Sequence, residues 1–206
     1  MFNKNIKNII FDFDGVILDS IPVKTEAFRK LFGDFDKEKV DSLINYHLQN
    51  GGKSRYLKIE YFFKNILQKD IDNNKILEYA KKYSILTKQE LSNPKYLIDD
   101  SINFIKNNYK NFNMHIASGA DEKDLKYICT SLEISKYFQS INGSPKEKRE
   151  IVKNILKSNH YKREETILIG DSLNDFEAAE SNGIEFYGYN NSNLKTYCKY
   201  IVNWSY

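Results

Sequence analysis

The stretch NIIFDFDGVILDS, Asn8–Ser20, decides how the rest of the chain is read. Asn8 to Phe11 is an apolar run too short for a helix, and it reads as a buried strand. Two aspartates, Asp12 and Asp14, follow it one residue apart. Carboxylates held that close repel each other, so a cation must lie between them or one must be protonated.

Outward from this strand the rhythm changes twice. From Ile21 to about Leu91 apolar residues recur at helical spacing, as in Ala27, Phe28, Leu31 and Phe32, or Val40, Leu43, Ile44 and Leu48. Gly33, Gly51–Gly52 and Asp70–Asn74 punctuate the block, which therefore reads as about four helices without a strand. After Pro94 strands and helices alternate. Helices are expected over 98–107, 121–132, 148–158 and 173–181. Strands are expected over 112–117, 138–141, 166–169 and 184–187, with Ile201–Val202 as an edge. Such alternation implies right-handed crossovers and a mostly parallel sheet. The predicted fold is α/β, a doubly wound Rossmann-like core interrupted after its first strand by a helical insert. The predicted division is 1–18 with 93–206 for the core and 19–92 for the insert.

In such a sheet the ligand lies beyond the carboxyl ends of the strands, at the switch point. Four loops should therefore converge. They carry Asp12 and Asp14; Ser118 and Gly119; Gly143 to Lys148; and Gly170, Asp171, Ser172, Asn174 and Asp175. Asp12, Asp14 and Asp171 brought together call for a hard divalent cation, and oxygen-only ligands suit Mg2+. A lysine, either Lys148 or Lys146, with the Ser118 hydroxyl and the Gly119 amide, adds what a phosphoryl group needs. One aspartate can then attack phosphorus, and a second can move the proton.

FDFDGVILDS, IASGA, the lysine of SPKEKRE and GDSLNDFEAAESNGI resemble, in order, the four motifs of haloacid-dehalogenase-like hydrolases. The resemblance covers roughly residues 5–18 and 93–188. It implies Asp12 as nucleophile and metal ligand. Asp14 becomes the acid/base, with its backbone carbonyl on the metal. Ser118 and Gly119 bind phosphate, Asp171 completes the Mg2+ ligands, and Asp175 and Asn174 stand behind them. Relatives differ in where the lysine lies; the GSP lead-in favours Lys148 over Lys146. Haloacid dehalogenases lack a second aspartate, so Asp14 points to phosphatase or phosphomutase chemistry.

The insert lies where C1 caps lie in this superfamily, and LDSIPVKTEAFRKLF resembles the start of such a cap in phosphoglycolate-phosphatase and β-phosphoglucomutase relatives. Many of those have His where Lys24 stands here, which weakens the mutase reading. HLQNGGKSRYLKIEYFF resembles the substrate-specificity loop, making His47, Lys53 and Arg55 candidates to read the leaving group. The plainer alternatives are a helix start with solvated charges for Lys53 and Arg55, and a packing histidine for His47. Tyr56, Tyr61, Phe62 and Phe63 read as insert core, and no acidic cluster is evident beside GGKSR. The expected substrate is a small phosphate monoester of a sugar, polyol or amino alcohol. A catalytically silent binding protein on the same fold is the alternative from outside the enzymes.

Composition narrows the remaining classes. With 31 basic and 28 acidic residues the net charge is +3, too small and too evenly spread for a nucleic-acid partner. Hydrophobic residues make up 41% and charged residues 29%, the balance of a soluble globular chain. Cys129 and Cys198 have no paired-ligand spacing. No apolar run approaches membrane-spanning length. A cytoplasmic monomer or weak dimer, without membrane partners, is the expectation.

Overall fold

The computed structural model describes residues 2–204, and there a single parallel sheet organises the chain. Its strands are β1 (Asn8–Phe11), β2 (Asn113–Asp121), β3 (Ser140–Ser144), β4 (Thr166–Gly170), β5 (Glu185–Gly188) and β6 (Lys199–Tyr200). They lie in the order β3-β2-β1-β4-β5-β6, so the winding reverses between β1 and β4. Phe11 is in register with Ile116 on one side and Ile169 on the other. The residues that follow these three strands therefore emerge side by side.

Period-two alternation of β1 supplies both faces of the sheet. Ile9 and Phe11 pack with Ile102 and Ile105 of α5 (Asp99–Asn108) and with Leu125 and Ile128 of α6 (Glu122–Ser131). Ile10 points the other way, onto Ile151 and Ile155 of α7 (Lys148–Ser158) and Ala178 and Ala179 of α8 (Leu173–Asn182). A sheet covered on both faces explains why Ile9–Phe11 and Ile167–Ile169 are unbroken apolar runs.

Between β1 and α5 lies the helical insert: α1 (Ile21–Leu31), α2 (Lys37–Gln49), α3 (Arg55–Tyr61) and α4 (Asn73–Leu91). Asp36, Ser54 and Asp72 cap α2, α3 and α4 by accepting backbone N–H bonds. The insert has its own apolar cluster, which includes Phe28, Phe32, Leu43, Ile59, Phe62 and Tyr83. Its two connections to the sheet are bonded to each other. Asp19 N donates to Tyr96 O at 2.8 Å and Ile98 N to Ile17 O at 3.0 Å, with Leu18 and Leu97 forming an antiparallel bridge.

Strand limits differ from the sequence reading at the sheet rim. β2 runs to Asp121, beyond Ala117, and β3 occupies 140–144, later than 138–141. The edge strand is Lys199–Tyr200 in place of Ile201–Val202. Apolar runs mark where side chains are buried, whereas ladder bonds continue through Gly and Ser at the sheet rim, where the backbone still has a partner. Among the described residues no helix is long and apolar enough to cross a membrane.

Candidate active site

At the switch point β1 and β4 deliver Asp12 and Asp171, and the first turn of α8 delivers Asp175. One oxygen of each of these carboxylates lies within 4.8 Å of the others. Lys148, the first residue of α7, enters the cluster fully buried. Its Nζ is 2.8 Å from Asp12 Oδ1 and also contacts Asp175 Oδ1. Asp12 Oδ1 is thus held by this ion pair alone, and the buried Asp12 Oδ2 has no polar partner. Burial first, then the Asp175 charge, pushes the Asp12 carboxyl up to about 7. Asp171 is raised by burial and by Asp12. Burial works against the Lys148 ammonium, but Asp12 and Asp175 hold it above the usual lysine range. Asp175 is fixed from behind, since its Oδ2 accepts from Ser172 N at 3.1 Å and Ser172 Oγ at 2.7 Å, a capping box. Lys146 lines a neighbouring groove and is exposed.

Gly15 lets the first loop meet the fourth. Its φ is +78°, and a Cβ there would lie 2.1 Å from Asp171 Oδ2, so only glycine fits. Asn190 Nδ2 donates to Gly15 O at 3.0 Å and Asn191 Nδ2 to Asp171 O at 2.7 Å, tying both loops to the end of β5.

The Asp14 carboxylate stands apart from the other three. Lys24 Nζ and Ser20 Oγ each donate to its Oδ1 at 2.5 Å. Burial favours its neutral form, but the Lys24 charge and these bonds prevail and hold the carboxyl below the usual range. Ser118, at the end of β2, is fully buried, and its Oγ accepts from Ala120 N at 3.0 Å. Gly119 faces the insert. A Cβ there would lie 1.9 Å from Gly52 O, so the 51–53 loop rests directly on its backbone. Asn174 is drawn to that loop too, with Nδ2 2.9 Å from the Cβ position of Gly52.

A family model described as haloacid dehalogenase-like hydrolase matches residues 9–189, across all four converging loops. The chain belongs to the haloacid dehalogenase-like hydrolase family. Among relatives of this hydrolase, a phosphorylated carbohydrates phosphatase of Thermotoga maritima is 26% identical over 185 residues, covering 86% of this chain and 82% of that protein. The structure of β-phosphoglucomutase from Clostridium difficile superposes with a TM-score of 0.77 at 18% identity, over 96% of this chain and 91% of that one. CbbY from Rhodobacter sphaeroides, solved as a variant with xylulose-1,5-bisphosphate, gives 0.76 at 15% identity over 97% and 95%. These two likenesses concern the fold.

The insert of this hydrolase closes a second wall over the carboxylates. Asp14, Asp171 and Gly119 share one cavity with Lys24, Phe28, His47, Lys53, Arg55, Lys58 and Tyr83. Arg55 is neither solvated nor free. It is buried, and Nη1 donates to Asp124 Oδ2 at 2.8 Å and to Ser84 Oγ at 2.6 Å. Tyr56 OH donates to Asp121 Oδ2 at 2.6 Å. The expectation that no acid lies near GGKSR is thus corrected: both acids come from the N-terminus of α6, 65 residues or more away in sequence. His47 is buried against Phe28, and Lys53 lies over the Tyr46 ring.

Lys24 and Lys58 were missed as site residues. The signal for Lys58 is its place three residues after Arg55, on the same face of α3. The signal for Lys24 is its place one turn into the first insert helix, directly after the loop that bears Asp14.

Proposed function

We propose that this hydrolase is a Mg2+-dependent phosphatase of small phosphate monoesters, with residues 19–92 as a cap over a catalytic core of 1–18 and 93–206. The observation that carries the reading is the cluster of Asp12, Asp171 and Asp175 around one buried ammonium, Lys148, in which Asp12 Oδ2 has no polar partner. Three carboxylates, two of them buried, against one ammonium leave an excess of negative charge, and a buried carboxylate oxygen without a donor is costly unless a cation meets it. The donor set therefore fits a hard divalent ion, held by Asp12, Asp171 and the Asp14 carbonyl. Such an ion supplies charge neutralisation for the phosphoryl oxygens.

In this reading Asp12 attacks phosphorus, forming an aspartyl-phosphate as the ester oxygen departs. Lys148 and the Ser118 and Gly119 donors hold the phosphoryl oxygens. Asp14 gives a proton to the departing alkoxide and later takes one from the water that splits the acyl phosphate. In the closed arrangement Lys24 holds Asp14 ionised, so the substrate must draw Lys24 away before Asp14 can carry that proton. The relative named for phosphorylated carbohydrates supports a sugar or polyol phosphate as the substrate class.

Phosphate release from a panel of small monoesters, with Mg2+ or with EDTA, tests the reading. Release is expected only with metal, and Asp12→Asn should lower it by about 10^3-fold or more. Release unaffected by EDTA or by Asp12→Asn would refute it.

A further inference from the structure

Across the Gly52–Gly119 contact from the cap cavity lies an open groove of about 360 Å3. Its floor is the run Ser144 to Arg149, which leads from β3 into α7, and α8 and α3 form its sides. The floor is rich in unmatched donors. α7 starts without a side-chain cap, because Glu147 makes no such bond and pairs instead with Arg149 at 2.6 Å. The first amides of this 11-residue helix therefore have no partner within it and carry the positive end of its dipole. Ser144 is 1% exposed, and its Oγ is buried with no hydrogen-bond partner. A hydroxyl offers one hydrogen, and buried groups of this kind are matched in the great majority of cases. Lys148 is taken by Asp12 and Asp175, and Arg149 by Glu147. Of the remaining charges on the groove, Lys53 and Lys146 outnumber Glu177. The Ser144 hydroxyl, Lys146 and the α7 amides have no part in the reaction as derived above.

We propose that this groove is a second oxyanion site, and that it receives the inorganic phosphate released from Asp12. The source of the anion rests on the phosphatase reading; the site itself does not. The two sides of the reaction centre open onto different spaces. Asp14 and Asp171 line the cap cavity, so the alcohol that Asp14 protonates departs on that side. Lys148 lines the groove and not the cap cavity, while its Nζ reaches Asp12. The phosphoryl oxygens that Lys148 holds are therefore on the groove side. Once the acyl phosphate is split, a phosphate ion moving toward the cap cavity meets two carboxylates. Moving past Lys148 it meets the start of α7, Ser144 and Lys146, and a run of positive potential of this kind draws an anion along it. An ion held in the groove leaves the cap cavity open to the next ester, so it slows turnover without competing with substrate.

Equilibrium dialysis with radiolabelled inorganic phosphate counts the sites on the Mg2+-loaded protein. Two phosphates per chain are expected. Beryllium trifluoride, which seats on an aspartate as a mimic of the phosphoryl group, should displace one and leave the other. The double variant Ser144→Ala with Lys146→Glu should weaken that remaining phosphate by about 10-fold or more, the scale of one hydrogen bond to a charged group. It should melt where the wild type melts, since Lys146 is exposed and the Ser144 hydroxyl has no partner to lose. In steady-state assays, phosphate should inhibit the wild type with a noncompetitive component, and the double variant by competition alone. A single phosphate per chain that beryllium trifluoride displaces, or a second one whose affinity the double variant leaves unchanged, overturns the site. If esters are hydrolysed and phosphate inhibits the wild type by competition alone, the groove assignment falls and the phosphatase reading stands. If no ester is hydrolysed and beryllium trifluoride displaces nothing, yet one phosphate binds and is weakened by the double variant, the oxyanion site stands and the phosphatase reading falls.

Discussion

Asp12 shows at the scale of one residue how a site works against the fold that carries it. Its carboxyl is buried, flanked by Asp171 and Asp175, and pushed up to about 7. An acid whose folded pKa lies above its unfolded value of about 4 costs nothing below pH 4. It costs progressively more as pH rises, up to about pH 7. In EDTA at pH 8, Asp12→Asn should therefore stabilise the protein by about 2–4 kcal/mol in urea unfolding, and Mg2+ should shrink that gain by binding the wild type more tightly. An unchanged or lower midpoint for Asp12→Asn in EDTA would show that the carboxylate is compensated within the chain. The aspartates of the site were legible because their spacing and their place after apolar runs make little sense elsewhere. The partner of Asp14 was not, because a lysine in an amphipathic helix start looks the same whether it meets solvent or a carboxylate.

Elements meet across the site through two contacts of different kinds. One is the backbone contact of Gly52 on Gly119. Gly119→Ala places a methyl where the Gly52 carbonyl lies, so the 51–53 loop must lift. Faster amide exchange over residues 50–55 and a loss of about 10-fold or more in kcat/KM are expected, and unchanged exchange would contradict the packing described. The other is the buried Arg55–Asp124 pair joining α3 to α6, with Ser84 of α4 donating to Asp124 at 2.6 Å. Asp124→Ala strands a buried guanidinium and should cost about 3–5 kcal/mol. The double variant Arg55→Met with Asp124→Leu should recover most of that loss by chemical denaturation. These couplings explain what the sequence could and could not disclose. Helix and strand types follow from local periodicity, so the order of elements was readable. The pairing of Arg55 with Asp124 spans the insert boundary, and nothing local marks it. The π-helical turn Phe62–Ile66 at the end of α3 escaped for the same reason, since the pattern of apolar residues there reads equally as α-helix.

For the molecule as a whole, three apolar clusters divide the interior, two on the faces of the sheet and one inside the insert. Buried histidines tie global stability to pH. His115 on β2 bonds Ser140 and Tyr161, and burial holds its ring down to about 4. A histidine with a depressed folded pKa is neutral in both states above pH 7. Below about 6.5 only the unfolded chain takes up the proton, so stability falls as pH falls. His115→Gln should therefore gain on the wild type by about 2 kcal/mol between pH 7.5 and pH 5. A constant difference across that range would mean that His115 ionises freely in the folded protein. The paired crossings at Asp19–Tyr96 and Ile17–Ile98 have a mechanical consequence. Two strips of chain stitched together cannot be displaced separately: a pull on either one passes through these bonds to the other, so the helical layer is tethered to the sheet by one joint in place of two.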